Sequence, residues 1–417
     1  MIQAVRGTKD LIPGEVEYYR FIEHLAHRIF SVFDYDEIRT PMFEMTSLFV
    51  RSIGEETDIV SKEMYTFQDK KGRSLTLRPE GTASVVRALI EHNMLQEGAV
   101  NKVYYTGPMF RYERPQQGRQ RQFNQVGVEI FGIKEASADA EIISLFSYFL
   151  QQMGFQNVIT RANTIGCTEC RKEYNARLRE YLKGFTTSLC PDCQQRAKKN
   201  PLRVFDCKQD ACKKIIKDAP RIRPFVCDAC ARHFSDVLVM LERLNVRYTV
   251  DDSLVRGFDY YTRTVFEIAL EGLGSQDAVM GGGRYDNLVE ELGGPPTPGI
   301  GASFGVERIV LAMKASSIAL PDDFLKRIDI YLIALDDSAL IPCVDLTDQL
   351  RKHGNRVRFD GKTRTFKSGL RAADRSGAHI ALIMGEQEVS DGNILIKELA
   401  SGEQRHVPLK DILSINI

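Results

Sequence analysis

Residues 103–131 constrain this chain more than any other stretch, because they read as two long strands joined by an arginine-rich loop. Residues 103–111 and 121–131 suit extended chain, and residues 112–120 suit a hairpin loop between them. Side chains alternate across a strand, so Arg121, Phe123, Gln125, Gly127 and Glu129 share a face, as do Tyr105, Gly107 and Arg111. A cation, an aromatic plate, an amide and a carboxylate then surround a glycine gap, which suits a floor that a polar ligand approaches closely. Alternating polar residues alone would equally describe a hairpin with a solvated face. The loop weighs against that, because Arg111, Arg114, Arg119 and Arg121 with Gln116 and Gln117 crowd guanidinium forks beside the hairpin. Such forks match phosphate oxygens.

The 417 residues allow two or three domains, each with its own core. A formal net charge of zero excludes the global basic field that drives non-specific nucleic-acid binding, so any RNA contact has to come from local patches. Residues 1–6 lack the apolar core of a signal peptide, and no apolar run approaches a membrane span. The expectation is a soluble, cytoplasmic protein with no membrane partner, whose nine cysteines are reduced thiols or metal ligands rather than disulfides.

Three compositional regions follow one another. Tyr18, Ile22, Leu25, Ala26, Ile29 and Phe33 form a helical stripe ahead of a short extended segment ending at Pro41. Residues 160–248 differ in composition, with many lysines and arginines and few strand signals, and read as a mostly helical insertion. Strand signals resume at Tyr248, run to about Ser316, and end in the linker Pro321-Asp322-Asp323. From Asp329 strands and helices alternate, which predicts a small α/β domain with a parallel or mixed sheet. Residues 351–375 carry nine Lys/Arg against Asp360 and Asp374, a cluster that suits an RNA-facing surface or a solvated helix face.

Eight of the nine cysteines lie in the insertion as close pairs: Cys167 with Cys170, Cys190 with Cys193, Cys207 with Cys212, and Cys227 with Cys230. Two such pairs supply the four thiolates of a tetrahedral zinc site, and eight supply two, unless the thiols are simply reduced and free. The histidines show no metal-ligand spacing, and Gly281-Gly282-Gly283 lacks the Gly-Lys-Ser/Thr of a phosphate loop.

Several blocks carry a resemblance. Gly-Pro-Met-Phe-Arg-Tyr-Glu-Arg-Pro at 107–115 resembles motif 2 of class II aminoacyl-tRNA synthetases in its histidyl form. Thr-Leu-Arg-Pro-Glu-Gly-Thr at 76–82 is similar to the loop that holds the amino acid's ammonium. Leu-Val-Arg-Gly-Phe-Asp-Tyr-Tyr at 254–261 and Gly-Gly-Arg-Tyr-Asp at 282–286 resemble the two histidyl signature segments, and residues 299–308 resemble motif 3. The likeness runs from the Arg-Gly-Thr-Lys-Asp at 6–10 into the C-terminal region.

The resemblance implies an α/β (α+β) fold: a class II catalytic domain over 1–325 built on an antiparallel sheet and interrupted by the 160–248 insertion, then an α/β anticodon-binding domain over 326–417. It implies a homodimer built on the segment ending at Pro41, and a histidine–tRNA ligase that takes histidine, ATP with Mg²⁺, and tRNA(His). Arg111 and Arg256 are the implied catalytic cations. Arg111, Glu113, Phe123 and Arg308 would bind ATP. Glu80, Thr82, Tyr105, Gln125, Glu129, Arg256, Tyr261 and Tyr285 would bind histidine, with Glu129 and Tyr261 on the ring. Arg114, Gln116 and Arg119 would meet the tRNA acceptor end. Relatives can lack the cysteines, so any zinc held by them would be structural rather than catalytic. Asn124 stands where histidine is expected in many relatives and Phe258 where leucine is common, and strand parity turns Asn124 away from the ligand. The rival implied by the same fold is a catalytically inactive regulatory paralogue.

Overall fold

The computed structural model describes residues 2–54, 57–116, 118–272, 277–325 and 328–414. Two compact units span residues 1–320 and 321–417. Gln117 of the arginine-rich loop, and Lys326 and Arg327 at the boundary expected between the domains, lie outside the described residues.

The first unit opens with helix α1 (Val16–Val32), whose Tyr19, Ile22, Leu25, Ala26, Ile29 and Phe30 recur at helical spacing and are all buried. Strand β1 (Asp36–Glu37) follows. A small antiparallel sheet is then made by β2 (Phe43–Met45), β3 (Thr66–Gln68) and β4 (Ser74–Leu77), with helix α2 (Thr46–Ile53) after β2 and α3 (Thr82–Glu91) after β4. The hairpin is β5 (Asn101–Phe110) and β6 (Gln122–Phe131), antiparallel from Asn101 opposite Phe131 to Phe110 opposite Gln122. Helix α4 (Ala136–Gln152) and β7 (Val158–Thr164) come next.

Four helices interrupt the strands: α5 (Thr168–Lys183), α6 (Pro191–Lys199), α7 (Asp210–Lys217) and α8 (Asp228–Arg243). The strands return as β8 (Tyr248–Val250), β9 (Thr262–Leu270) and β10 (Ala278–Arg284), followed by α9 (Leu288–Glu291), β11 (Gly299–Gly305) and α10 (Val306–Ala315). The main sheet has the order β1-β5-β6-β11-β10-β9-β7-β8 and is antiparallel except where β1 meets β5 and β7 meets β8.

The helical interruption starts later than its composition suggests. Residues 160–164 belong to β7, where Thr160 pairs with Ile268 on one side and Tyr248 on the other. A composition change read over a window blurs a strand end, whereas the alternating buried positions Val158, Thr160 and Ala162 mark it.

One face of the sheet is sealed by helices. Phe304 of β11 packs against Phe146 and Phe149 of α4, and Phe30 of α1 joins the same cluster. Beneath this face the fully buried Arg284 of β10 pairs with the fully buried Asp139 of α4. By strand parity the opposite face carries Phe123, Gln125, Gly127 and Glu129 of β6 beside Ser303 and Gly301 of β11 and Gly281 of β10.

The second unit is a five-stranded mixed sheet built from β12 (Ile330–Ala334), β13 (Val357–Thr363), β14 (Ile380–Met384), β15 (Asn393–Glu398) and β16 (Gln404–Pro408) in the order β13-β12-β14-β15-β16. Between them run α11 (Leu340–Lys352), α12 (Phe366–Ser376) and the short α13 (Glu386–Asp391). Helix α11 packs Cys343, Leu346 and Leu350 on one face, and α12 packs Ala372 and Ala373 on the other. This is why β12 reads as an unbroken apolar run: both of its faces are covered.

Candidate active site

Above the open face of the sheet lies a cleft of about 420 Å³. Arg111, Glu113, Arg119, Phe123, Gln125, Arg256, Tyr261 and Arg308 line it, together with Glu267 and Ser303. Arg111 holds its place by donating Nε to Pro79 O at 2.8 Å while its guanidinium lies 5.4 Å from the Phe123 ring centroid. Arg119 Nη1 is 3.2 Å from Glu113 Oε2, which turns this loop arginine inward, whereas Arg114 and Gln116 are exposed. Arg121 folds back over the Tyr112 ring at 3.8 Å, so it is not a cation of the floor. Arg308 donates Nη1 to Ala278 O at 2.9 Å, and burial and Arg119 both lower its affinity for its proton.

Arg256 comes from the irregular segment before β9 and pairs with Glu267. Burial works against its charge, yet Glu267 overrides this and holds the guanidinium above its ordinary value. Gly281 makes the position available: a Cβ there would stand 2.5 Å from Arg256 Nη2.

The remaining residues form a buried group behind the cleft. Glu129 accepts from Thr82 Oγ1 at 2.6 Å and from the Tyr285 hydroxyl. Burial pushes the Glu129 carboxyl up to about 8, against these two donors. Three glycines create the space: a Cβ at Gly301 would overlap the Glu129 carboxylate, and a Cβ at Gly81 or Gly127 would overlap the Tyr105 ring. The glycine gap of the hairpin is therefore filled by Tyr105, which faces Gly127 across the strand pair, and is not a gap for a ligand. Tyr261 adjoins the group with its ring centroid 6.5 Å from that of Tyr285.

Glu80 is buried and spends both oxygens on the start of α3, accepting from Thr82 N at 2.6 Å and Ala83 N at 2.9 Å. Gln125 donates Nε2 to Ser303 Oγ at 2.7 Å, while its buried Oε1 has no partner. An acceptor in that condition is costly unless a ligand donor meets it. Asn124 is on the other face, where its backbone and side-chain N–H groups donate to Glu307 Oε1 at 2.8 and 3.3 Å.

Sequence reasoning missed Glu267, Ser303 and Asp206. Glu267 had a signal, a lone acid in the apolar strand β9 with the parity of Val265. Asp206 had none, because its place on the cleft wall depends on how the insertion folds back.

The cysteines gather into two groups. Cys167, Cys170, Cys227 and Cys230 form one, and Cys190, Cys193, Cys207 and Cys212 the other, with the four Sγ atoms of each group within 4.8 Å of one another. All are free thiols. The pair Cys167–Cys170 is 3.5 Å apart at Sγ and Cys190–Cys207 is 3.8 Å. A tetrahedron with Zn–S of about 2.3 Å requires S–S of about 3.8 Å. Backbone N–H groups of Cys190 and Cys227 donate to Cys212 Sγ and Cys170 Sγ at 3.2 and 3.1 Å.

In the second unit, Arg351 is tied to Val357 O, Lys352 to Asp348 and Arg364 to Asp360, leaving Arg356, Arg358, Lys362, Lys367, Arg371 and Arg375 exposed.

A family model described as histidyl-tRNA synthetase matches residues 7–163 and 209–309, and one described as an anticodon binding domain matches 329–415. The histidine–tRNA ligase of Halothermothrix orenii is 47% identical over 412 residues, covering 99% of this chain and 98% of that protein. The histidine–tRNA ligase of Caldanaerobacter subterraneus is 43% identical over 412 residues, with the same two coverages. The crystal structure of the apo histidyl-tRNA synthetase of S. aureus matches with a TM-score of 0.82 at 36% identity, over 99% of both chains. A Bacillus halodurans structure described as an ATP phosphoribosyltransferase regulatory subunit/histidyl-tRNA synthetase shares the fold at 19% identity and a TM-score of 0.64, over 92% of this chain and 98% of that one. The full-length matches agree with the arginine-lined cleft and its buried carboxylate: the chain belongs to the histidyl-tRNA synthetase family.

Proposed function

We propose that this chain is a histidine–tRNA ligase, which joins histidine to AMP and then transfers it to the 3′ end of tRNA(His). The observation that carries the reading is the junction of two environments: a buried Glu129 bonded by Thr82 and Tyr285, and an adjoining cleft lined by Arg111, Arg256 and Arg308. In the first step the histidine carboxylate attacks the α-phosphorus of ATP, the bond to the bridging oxygen breaks, and pyrophosphate leaves with that electron pair. In the second, a ribose hydroxyl of the tRNA attacks the adenylate carbonyl, loses its proton, and AMP leaves. The nucleophile of the first step is already anionic, so alignment and charge neutralisation suffice.

Arg111 would meet the α-phosphate, and Phe123, 5.4 Å from its guanidinium, would stack on adenine. Glu113 would face the adenine amine, and Arg308 the far side of the nucleotide. Mg²⁺ would arrive with ATP and supply further neutralisation of its phosphate charge. Arg256 would sit beside the reacting carboxylate and phosphate. Glu129 would accept a ring N–H of histidine, with Tyr261 at the other nitrogen and Tyr105 and Tyr285 shaping the pocket. The unpartnered Gln125 Oε1 suits the α-ammonium, with Glu80 and Thr82 at the start of α3 behind it. Arg114 and Gln116, exposed at the loop tip, suit the tRNA acceptor end, while Arg119, which lines the cleft beside Glu113, would face the nucleotide.

Residues 321–417 would read the anticodon through the exposed cations between Arg356 and Arg375. A homodimer accounts for Met42, Phe43 and Met45, which are about half exposed just after Pro41. Among the described residues no helix is long and apolar enough to cross a membrane, and the reaction belongs with cytoplasmic translation. Each thiolate group has the donor set and spacing of a structural zinc site, and elemental analysis of chelator-free protein should then find two zinc per chain. The inactive-paralogue reading is the weaker one, because the cleft keeps Arg111, Arg256, Arg308 and Tyr261 together. ATP–pyrophosphate exchange with each amino acid in turn tests the assignment: exchange with histidine alone supports it, and exchange with none or with several rejects it.

A further inference from the structure

The second cysteine group is not remote from the chemistry. The 3₁₀ turn Pro201–Asp206 lies between Cys193 and Cys207, so two cysteines of one group bracket it at both ends. Arg203 Nη2 donates from this turn to Gly257 O at 2.6 Å, and Asn200 Nδ2 donates to Asp259 Oδ1 at 2.8 Å. Arg196 of α6, the helix that carries Cys193, reaches Asp58 Oδ2 at 2.9 Å. Arg203 and Asp206 stand on the wall of the cleft that Arg256 lines.

The segment that carries Arg256 depends on such support. Residues 254–261 contain no helix or strand, and their first carbonyl, Leu254 O, is held from below by Asn163 Nδ2 at 3.0 Å. From the insertion side Arg203 and Asn200 hold Gly257 and Asp259, with a longer contact of 3.5 Å from Arg171 to Asp259 O. The Arg256 guanidinium has little latitude, being confined over Gly281 and paired to Glu267. Its backbone therefore has to be held on both sides.

We propose that the turn between Cys193 and Cys207, clamped by a thiophilic divalent ion such as zinc on Cys190, Cys193, Cys207 and Cys212, positions Arg256 through Arg203 and Asn200. Arg203 is thus a positioning residue, and metal occupancy of this group sets the rate of adenylate formation. The proposal rests on the ligase reading and on the zinc reading, and its test separates failure of each.

The test uses full-length protein, histidine-dependent ATP–pyrophosphate exchange and zinc content measured on the same samples. Arg203→Ala should lower kcat at least about tenfold with the KM values for ATP and histidine changed less than about threefold, since a displacement of about an ångström is costly to the reacting geometry alone. It should keep both zinc ions, and Arg203→Lys should recover part of the rate because an ammonium can still reach a carbonyl. Cys193→Ser, or zinc stripped from folded wild type by a chelator if that variant does not accumulate, should show the same fall in kcat. The combined Arg203→Ala and Cys193→Ser variant should lie within about twofold of the poorer single variant, as expected for one shared route. A folded Arg203→Ala protein with wild-type kcat, or losses that multiply in the double variant, would overturn the positioning role. Active wild type free of metal would overturn the ion's part in it, and wild type without histidine-dependent exchange would overturn the ligase reading instead.

Discussion

Thr82 Oγ1 donates to Glu129 Oε1 at 2.6 Å, joining the start of helix α3 to the end of strand β6 inside the protein. Burial raises the Glu129 carboxyl to about 8, so below its unfolded value near 4.5 both states are protonated, and between there and about 8 only the unfolded chain is ionised. Stability from this group is thus full at low pH and is lost as pH rises through that window. Glu129→Gln has no such slope. Relative to wild type it should gain a few kcal/mol between pH 5 and pH 8. Denaturant unfolding at a series of pH values measures this, and parallel curves for the two proteins would refute it.

The same substitution should harm histidine recognition. The ring N–H of bound histidine favours the ionised carboxylate, and an amide, which cannot ionise to meet it, should raise the histidine KM by about a hundredfold and relax selectivity. An unchanged KM would remove Glu129 from the pocket.

Arg256→Ala should act on the rate. Charge gathers on the α-phosphate as the carboxylate attacks, and loss of one preorganised cation should lower the adenylation rate about 10²–10³-fold. ATP affinity should change far less. Equilibrium binding beside single-turnover chemistry distinguishes the two, and a defect confined to ATP binding would contradict the role.

Arg284→Met should be a folding variant. It leaves Asp139 buried without the guanidinium that serves it and strands the carbonyls of Ile133 and Glu135, which Arg284 also bonds at 2.9 and 3.1 Å. Breaking a buried pair in this way costs about 3–5 kcal/mol. A thermal midpoint equal to wild type would show that the pair is dispensable.

A chain ending at Leu320 should retain histidine-dependent exchange, since the first unit has its own core, but should charge tRNA poorly. Charging at the full-length rate would free the exposed cations between Arg356 and Arg375 from an RNA role.

The hairpin was legible because strand periodicity is local: alternation alone puts Phe123, Gln125 and Glu129 on one face, and the register bears this out. The alternating α/β pattern after Asp329 was legible for the same reason, whereas α13 is short and β16 largely exposed and polar, so neither carries a clear periodic signal. The close cysteine pairs were equally visible, but not which pairs combine, because Cys167 and Cys170 meet Cys227 and Cys230 around a whole intervening group.

What the sequence determined by itself were periodicities, residue chemistry at short spacing and, through ordered blocks, the family. Only the tertiary structure decided what fills each space and what each buried charge pairs with. Tyr105 occupies the gap over Gly127, Glu267 meets Arg256, and Arg203 crosses from the insertion to Gly257 O. These contacts join residues far apart in the chain, or depend on side-chain volumes across a strand pair. Packing in three dimensions selects them, and no local propensity encodes it.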